Sequence, residues 1–121
     1  MIGYVTIGTN DLEKSRKYYD ALLAEFGGKR AWDSERMQGY AGPHGMVAIC
    51  KPHDGKPMTV GNGAMFAFPA KDREMVDKIY AKAMSLGSKD EGAPGARTDN
   101  FYGAYFRDLD GNKLCVFKAG A

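Results

Sequence analysis

Two cysteines, two histidines and two loop arginines are the side chains in this sequence best suited to chemistry beyond surface charge. Cys50 and Cys115 lie far apart, which leaves neither a disulfide framework nor a CxxC metal knuckle. Cys115 has the type of a nucleophile, but no histidine neighbours it in sequence, and a buried structural thiol is the better reading. His44 sits in Gly42-Pro43-His44-Gly45, a hairpin connection, and His53 in a polar loop. Both read as solvated turn residues, with a catalytic role for His53 left open should its loop border a cleft. Arg97, in Gly95-Ala96-Arg97-Thr98-Asp99, is placed in a polar loop before a strand. A guanidinium there could clamp a carboxylate or phosphate through paired hydrogen bonds. Arg36 could do the same, and for both the competing reading is a solvated loop charge. Asp108-x-Asp110-Gly111 has its glycine too early for a calcium loop and lacks the closing glutamate, so it is read as a turn. Gly61-x-Gly63 precedes a strand, whereas a dinucleotide fingerprint follows one.

Composition narrows the classes. With 121 residues, 44% apolar and 26% charged, the chain is expected to form one soluble domain over 1–121. Apolar runs such as Ala64–Phe68 are far short of the roughly 18 residues of a membrane span. No signal-peptide pattern opens the chain, so a cytoplasmic protein with no membrane partner is expected. A net charge of +2 without a basic tract argues against a nucleic-acid partner. Sixteen glycines, about twice the usual share, predict many tight turns.

The elements follow from those turns. Ile2–Gly8 alternates as a strand. Asn10, with Glu13 three residues on, predicts a capping-box helix start. Leu12, Tyr19, Leu22, Leu23 and Phe26 continue at helical spacing, and Gly27 ends the helix. Lys29–Ser34, Met37–Gly42 and Met46–Lys51 predict three strands, and 52–61 a polar loop. The order then repeats. Ala64–Pro69 predicts a strand, and Lys71-Asp72 opens a helix with Val76, Ile79, Tyr80, Ala83 and Met84 on one face, closed by Gly87. Strands are predicted near Ser88–Glu91, Tyr102–Arg107 and Lys113–Lys118. The reading is strand–helix–three strands, twice: an α+β fold with module one about 1–54 and module two about 61–121.

Against that order, the segment Val5-Thr6-Ile7-Gly8-Thr9-Asn10-Asp11-Leu12-Glu13-Lys14-Ser15 with Tyr18-Tyr19 resembles the opening of glyoxalase/bleomycin-resistance/dioxygenase domains, the vicinal oxygen chelate superfamily. Tyr105-Phe106-Arg107-Asp108-Leu109-Asp110-Gly111-Asn112-Lys113-Leu114 resembles their closing strand and hairpin. The likeness covers essentially the whole chain. It implies two βαβββ modules whose eight strands form a curved mixed sheet around a cleft, usually in a homodimer.

The resemblance also implies where a divalent metal would be held. The four positions fall on Tyr4, on Ile49 or Cys50 (the register leaves both open), on Met65 and on Cys115. None offers the imidazole or carboxylate that a hard Mg, Mn or Ni ion prefers, so no metal and no cofactor is expected. The implied cleft would instead present Tyr4, Cys50, Met65 and Cys115. Trp32, Tyr40, Phe101 and Tyr102 lie where they could line the same space, as aromatic concavities commonly bind small molecules. Phe66, Phe68, Phe106 and Phe117 are assigned to core.

Two functions remain. One is a metal-independent lyase or isomerase acting on a small neutral or anionic compound, with Tyr4 and Arg97 stabilising developing charge. The other is a non-catalytic, ligand-sequestering homodimer of the bleomycin-resistance type. Glutathione-dependent glyoxalase I activity is disfavoured, because in this family that chemistry uses the metal.

Overall fold

The computed structural model describes residues 1–120. The chain divides into two compact units, Met1–Val60 and Gly61–Ala121. The first contains β1 (Tyr4–Gly8), α1 (Leu12–Ala24), β2 (Lys29–Asp33), β3 (Met37–Gly42) and β4 (Gly45–Cys50). The second contains β5 (Phe66–Pro69), α2 (Arg73–Ser85), β6 (Lys89–Thr98), β7 (Phe101–Arg107) and β8 (Lys113–Ala119). Each unit is a βαβββ module. The eight strands are grouped four and four, in the orders β1-β4-β3-β2 and β5-β8-β7-β6. In each sheet one pair is parallel, β1 with β4 and β5 with β8, and the rest are antiparallel. The parallel pair follows from the helix, because a crossover returns the chain in the same direction.

Helix α1 starts one residue later than the capping-box reading placed it. Asp11 is the N-cap, and its carboxylate accepts from the Lys14 backbone N–H at 3.1 Å. Asn10 is used elsewhere: its side-chain oxygen accepts from the Met58 N–H at 2.7 Å and ties the 52–61 loop to the module. Helix α2 is capped in the same manner by Asp72, on the Met75 N–H. Such caps satisfy otherwise orphaned helix amides. Gly27 and Gly87 carry positive φ at the two helix exits, a conformation costly for residues with a Cβ.

Each helix covers one face of its own sheet. Under α1 lie Ile7, Tyr40 and Ile49, with Leu12, Tyr18, Tyr19, Leu22 and Leu23 from the helix. Under α2 lie Phe106, Leu114 and Val116, with Val76, Ile79 and Ala83. Full burial of each large apolar side chain contributes about 1.5–3 kcal/mol. Of the four phenylalanines assigned to core, Phe106 alone is fully buried; Phe66, Phe68 and Phe117 are half-buried. Phe117 lies on the opposite sheet face, stacked on Phe101 with centroids 5.3 Å apart. Among the described residues no helix is long and apolar enough to cross a membrane.

Candidate functional site

With one face of each sheet taken by a helix, the other face is where side chains can meet a ligand. Strand alternation and register decide which residues reach it. In the first sheet Tyr4 pairs with Met46, Thr6 with Ala48 and Gly8 with Cys50, all on the open face. Ile49 pairs with Ile7 and is fully buried under α1. The register therefore selects Cys50, rather than Ile49, as the residue sharing a face with Tyr4.

Trp32 reaches the open face through a bulge. Arg30 pairs with Tyr40 on the helix face, and simple alternation would send Trp32 the same way. The register shift between Arg30 and Trp32 pairs Trp32 with Gly39 instead. An extra residue in one strand turns the following side chains over. The indole then lies on Gly39, and its N–H donates to the Met46 sulfur at 3.2 Å. Trp32 is 38% exposed and Tyr4 53%. Met58 covers the far end of this face, over Gly8.

Tyr40 does not belong to this group. It is 2% exposed and faces α1. Its hydroxyl donates to Asp20 at 2.8 Å and contacts the Arg16 carbonyl at 3.2 Å. Arg30 holds the same Asp20 with two hydrogen bonds, at 2.9 and 2.8 Å. Burial pushes the Tyr40 phenol up, and the bonded carboxylate adds to the shift. The group is a structural clamp between α1, β2 and β3.

Tyr102 is likewise on the helix side. It shares alternation with Phe106, which is core; its hydroxyl donates to Asp77 of α2 at 2.6 Å, and Arg73 lies 5.0 Å from its ring centre. Neither tyrosine lines the open face, contrary to the expectation from sequence.

The open face of the second sheet carries Phe101, Gly103, Tyr105 and Arg107 from β7, with Cys115 and Phe117 from β8. Met65 stands just ahead of β5 and is exposed. Arg97 is not in a loop. It lies within β6, a ten-residue strand interrupted by three register shifts, the last of them between Ala96 and Thr98. Its guanidinium folds back along its own strand, donating to the Gly95 carbonyl at 2.9 Å and the Ala93 carbonyl at 2.7 Å. It lies 5.4 Å from the centre of the Tyr105 ring, within cation–π range. Lys113 Nζ is also 5.4 Å from that centre. Cys115 is fully buried beside Tyr105 in the register. Burial pushes its thiol up to about 11, against the opposing pull of Arg97 and Lys113.

Tyr105 and Lys113 were not singled out as site residues from sequence. The signal was present: with Phe106 in the core, its neighbour Tyr105 must face the other way. The other candidates are simpler. His44 and His53 are exposed turn residues. Arg36 donates to the Lys51 carbonyl at 2.8 Å and braces the end of β4. Asp108 is a buried turn carboxylate that accepts from the Asp110 and Asn112 amides at 3.0 and 2.9 Å.

The donor set does not fit a hard divalent ion. In the first unit Tyr4 and Cys50 supply a phenol and a thiol; in the second Met65 and Cys115 supply a thioether and a thiol held in its neutral form. Among the described residues no three His, Cys, Asp or Glu side chains cluster as a metal site.

Two βαβββ modules, each with a helix on one sheet face and an aromatic, sulfur-bearing open face, define a duplicated α+β scaffold. The chain belongs to the glyoxalase/bleomycin resistance protein/dioxygenase superfamily, whose profile matches residues 1–116. It is similar to a glyoxalase/bleomycin resistance protein from Albidiferax ferrireducens T118, with 39% identity, 98% of each chain covered and a TM-score of 0.90. A lactoylglutathione lyase from Agrobacterium tumefaciens shares the fold at 19% identity and a TM-score of 0.76, over 98% of this chain and 92% of that one. The fosfomycin resistance protein FosX from Mesorhizobium loti shares it at 18% identity and a TM-score of 0.75, with the same coverage. No protein of curated function matches the chain.

Proposed function

We propose that the protein binds a small neutral or anionic organic molecule, and that its own side chains, rather than a metal ion, supply the polar recognition. The observation that carries this is Arg97 on Tyr105: an exposed guanidinium, held by two backbone carbonyls, on the open face of the second sheet. A positioned guanidinium of this kind recognises planar anions and stabilises charge that develops on oxygen. As an enzyme the protein would be a metal-independent lyase or isomerase, with Arg97 facing the developing oxyanion. Tyr4 is a separate candidate hydrogen-bond donor on the open face of the first sheet.

The second reading is a non-catalytic homodimer that sequesters its ligand. It is favoured by the exposure of Trp32 and Tyr4, which offer apolar ring surface.

A thermal-shift screen of small aromatic and carboxylate compounds tests the common core of both. Binding raises the melting temperature by mass action. With a hit in hand, Arg97→Ala is expected to weaken affinity or turnover by at least about tenfold, the scale of one charge-assisted hydrogen bond. Turnover that is lost in Tyr4→Phe or Arg97→Ala supports the enzyme. Tight binding with no product formed supports the sequestering homodimer, whose assembly sedimentation equilibrium would read.

A further inference from the structure

Arg97 reaches its position because two glycines make room for it. A Cβ on Gly95 would lie 2.9 Å from Arg97 Nη1. A Cβ on Gly92 would lie 3.1 Å from the Tyr105 ring and 3.3 Å from Arg97 Nη2. The bulged strand β6 and its glycines therefore form a bed in which the guanidinium lies flat across the strand. Only one donor contact is made by each terminal nitrogen, so further N–H groups of the fork remain for a ligand.

Lys113 adds a second charge. Both cations sit 5.4 Å from the centre of one ring, which places them no more than about 11 Å apart. Neither forms an ion pair among the described residues. The nearby carboxylate of Glu91 is already engaged by Arg107 at 2.6 Å. Two like charges are thus gathered at one aromatic ring with no acidic partner, an arrangement that an arriving anion relieves.

We propose that Arg97 and Lys113, gathered at Tyr105, form an anion clamp that takes the carboxylate or phosphoryl group of the ligand, while the rings of Tyr105 and Phe101 contact its apolar part. This rests on the small-molecule reading above and deepens it: the ligand is an anion, and Lys113 and Tyr105 are specificity residues beside Arg97. The planar fork of Arg97 suits a carboxylate or phosphate in two-point contact, and Lys113 contributes as a point charge.

The test is calorimetric titration of the full-length protein with benzoate, inorganic phosphate and benzamide, the neutral counterpart of benzoate. Arg97→Met, Lys113→Met and the distant helix variant Lys78→Met are titrated in parallel. The clamp predicts binding of benzoate or phosphate, weakened about tenfold in each of the first two variants and unchanged in Lys78→Met. Benzoate preference over phosphate assigns carboxylates, and the reverse assigns phosphoryl groups. Salt provides a test that needs no variant: raising NaCl from about 0.02 to about 0.3 M weakens the anions and spares benzamide. Benzamide binding as tightly as benzoate, or benzoate binding that survives both Met variants, overturns the clamp and leaves the small-molecule reading standing. No binding of any probe, with no hit in the thermal-shift screen, removes both.

Discussion

The indole of Trp32 lies directly on Gly39: a Cβ at that glycine would come 2.4 Å from Cε2 and 2.5 Å from Nε1 of the ring. No side chain but hydrogen leaves space for the ring to lie flat on the sheet. Gly39→Ala must therefore lift the indole off. The cost is expected to be about 1–3 kcal/mol, as for other overpacked sites. Trp32 is the one tryptophan of the chain, so its fluorescence reports this alone. Emission should move to the red and the melting temperature should fall. An unchanged spectrum would show that the ring does not rest on Gly39.

Gly95→Ala probes the bed beneath Arg97. The clash falls on the end of a flexible side chain, so the strand can keep its place while the guanidinium moves. Stability should change by less than about 1 kcal/mol, as for most single surface changes. Anion affinity should fall nearly as far as in Arg97→Met. Wild-type affinity in Gly95→Ala would mean that the flat placement of Arg97 contributes nothing to binding.

Asp20 makes stability depend on acid. Burial alone would raise its pKa, but the hydrogen bonds from Arg30 and Tyr40 and the charges of Arg30 and Arg16 outweigh it and lower the value. A carboxylate lowered on folding stabilises the native state above its unfolded pKa, near 3.8. That contribution is lost as the pH falls below about 4 through the folded value. Denaturant midpoints measured from neutral pH down to acid should show this loss in the wild type and a reduced loss in Asp20→Asn. Tyr40→Phe, which removes one bond from the same carboxylate, should cost about 1 kcal/mol at neutral pH.

Cys115 should be inert in the native protein. With its thiol pushed up to about 11, only about a thousandth is thiolate at pH 8, and the side chain is fully buried. In a Cys50→Ala background, labelling by a disulfide reagent at pH 8 should proceed only as fast as the protein opens, and at once in denaturant. Rapid native labelling would instead mark Cys115 as a reactive group.

The soft donor set predicts indifference to hard metals. Adding Mg, Mn or Ni salts, or removing metals with a chelator, should leave the melting temperature within about 1 °C, since a ligand stabilises only in proportion to its affinity for the folded state. A saturable rise with any of these ions would show a site that the four positions do not supply.

Much of the scaffold was legible in the order of residues. Apolar spacing at Leu12–Leu23 and Val76–Ala83, the turn glycines and the repeated element order all come from local chemistry, and local chemistry is written along the chain. The Asp110-Gly111 hairpin and the Asp72 helix start follow for the same reason. The softness of Tyr4, Met65 and Cys115 as ligands is likewise a matter of residue type.

What only the tertiary structure decided is which way the side chains face. Tyr40 and Tyr102 are aromatic strand residues like Trp32 and Tyr105, yet the first two bond to helix carboxylates and the last two face away. Alternation made that choice for Tyr40, Tyr102 and Tyr105, while bulges re-aim side chains in β2 and β6, where one extra residue reverses their direction. They bring Trp32 to the open face and carry Arg97 onto Tyr105. A bulge leaves little trace in composition or period, since it is settled by pairing with another strand. The sequence by itself determined the two modules and the kinds of group available, while strand pairing determined which of those groups a ligand can meet.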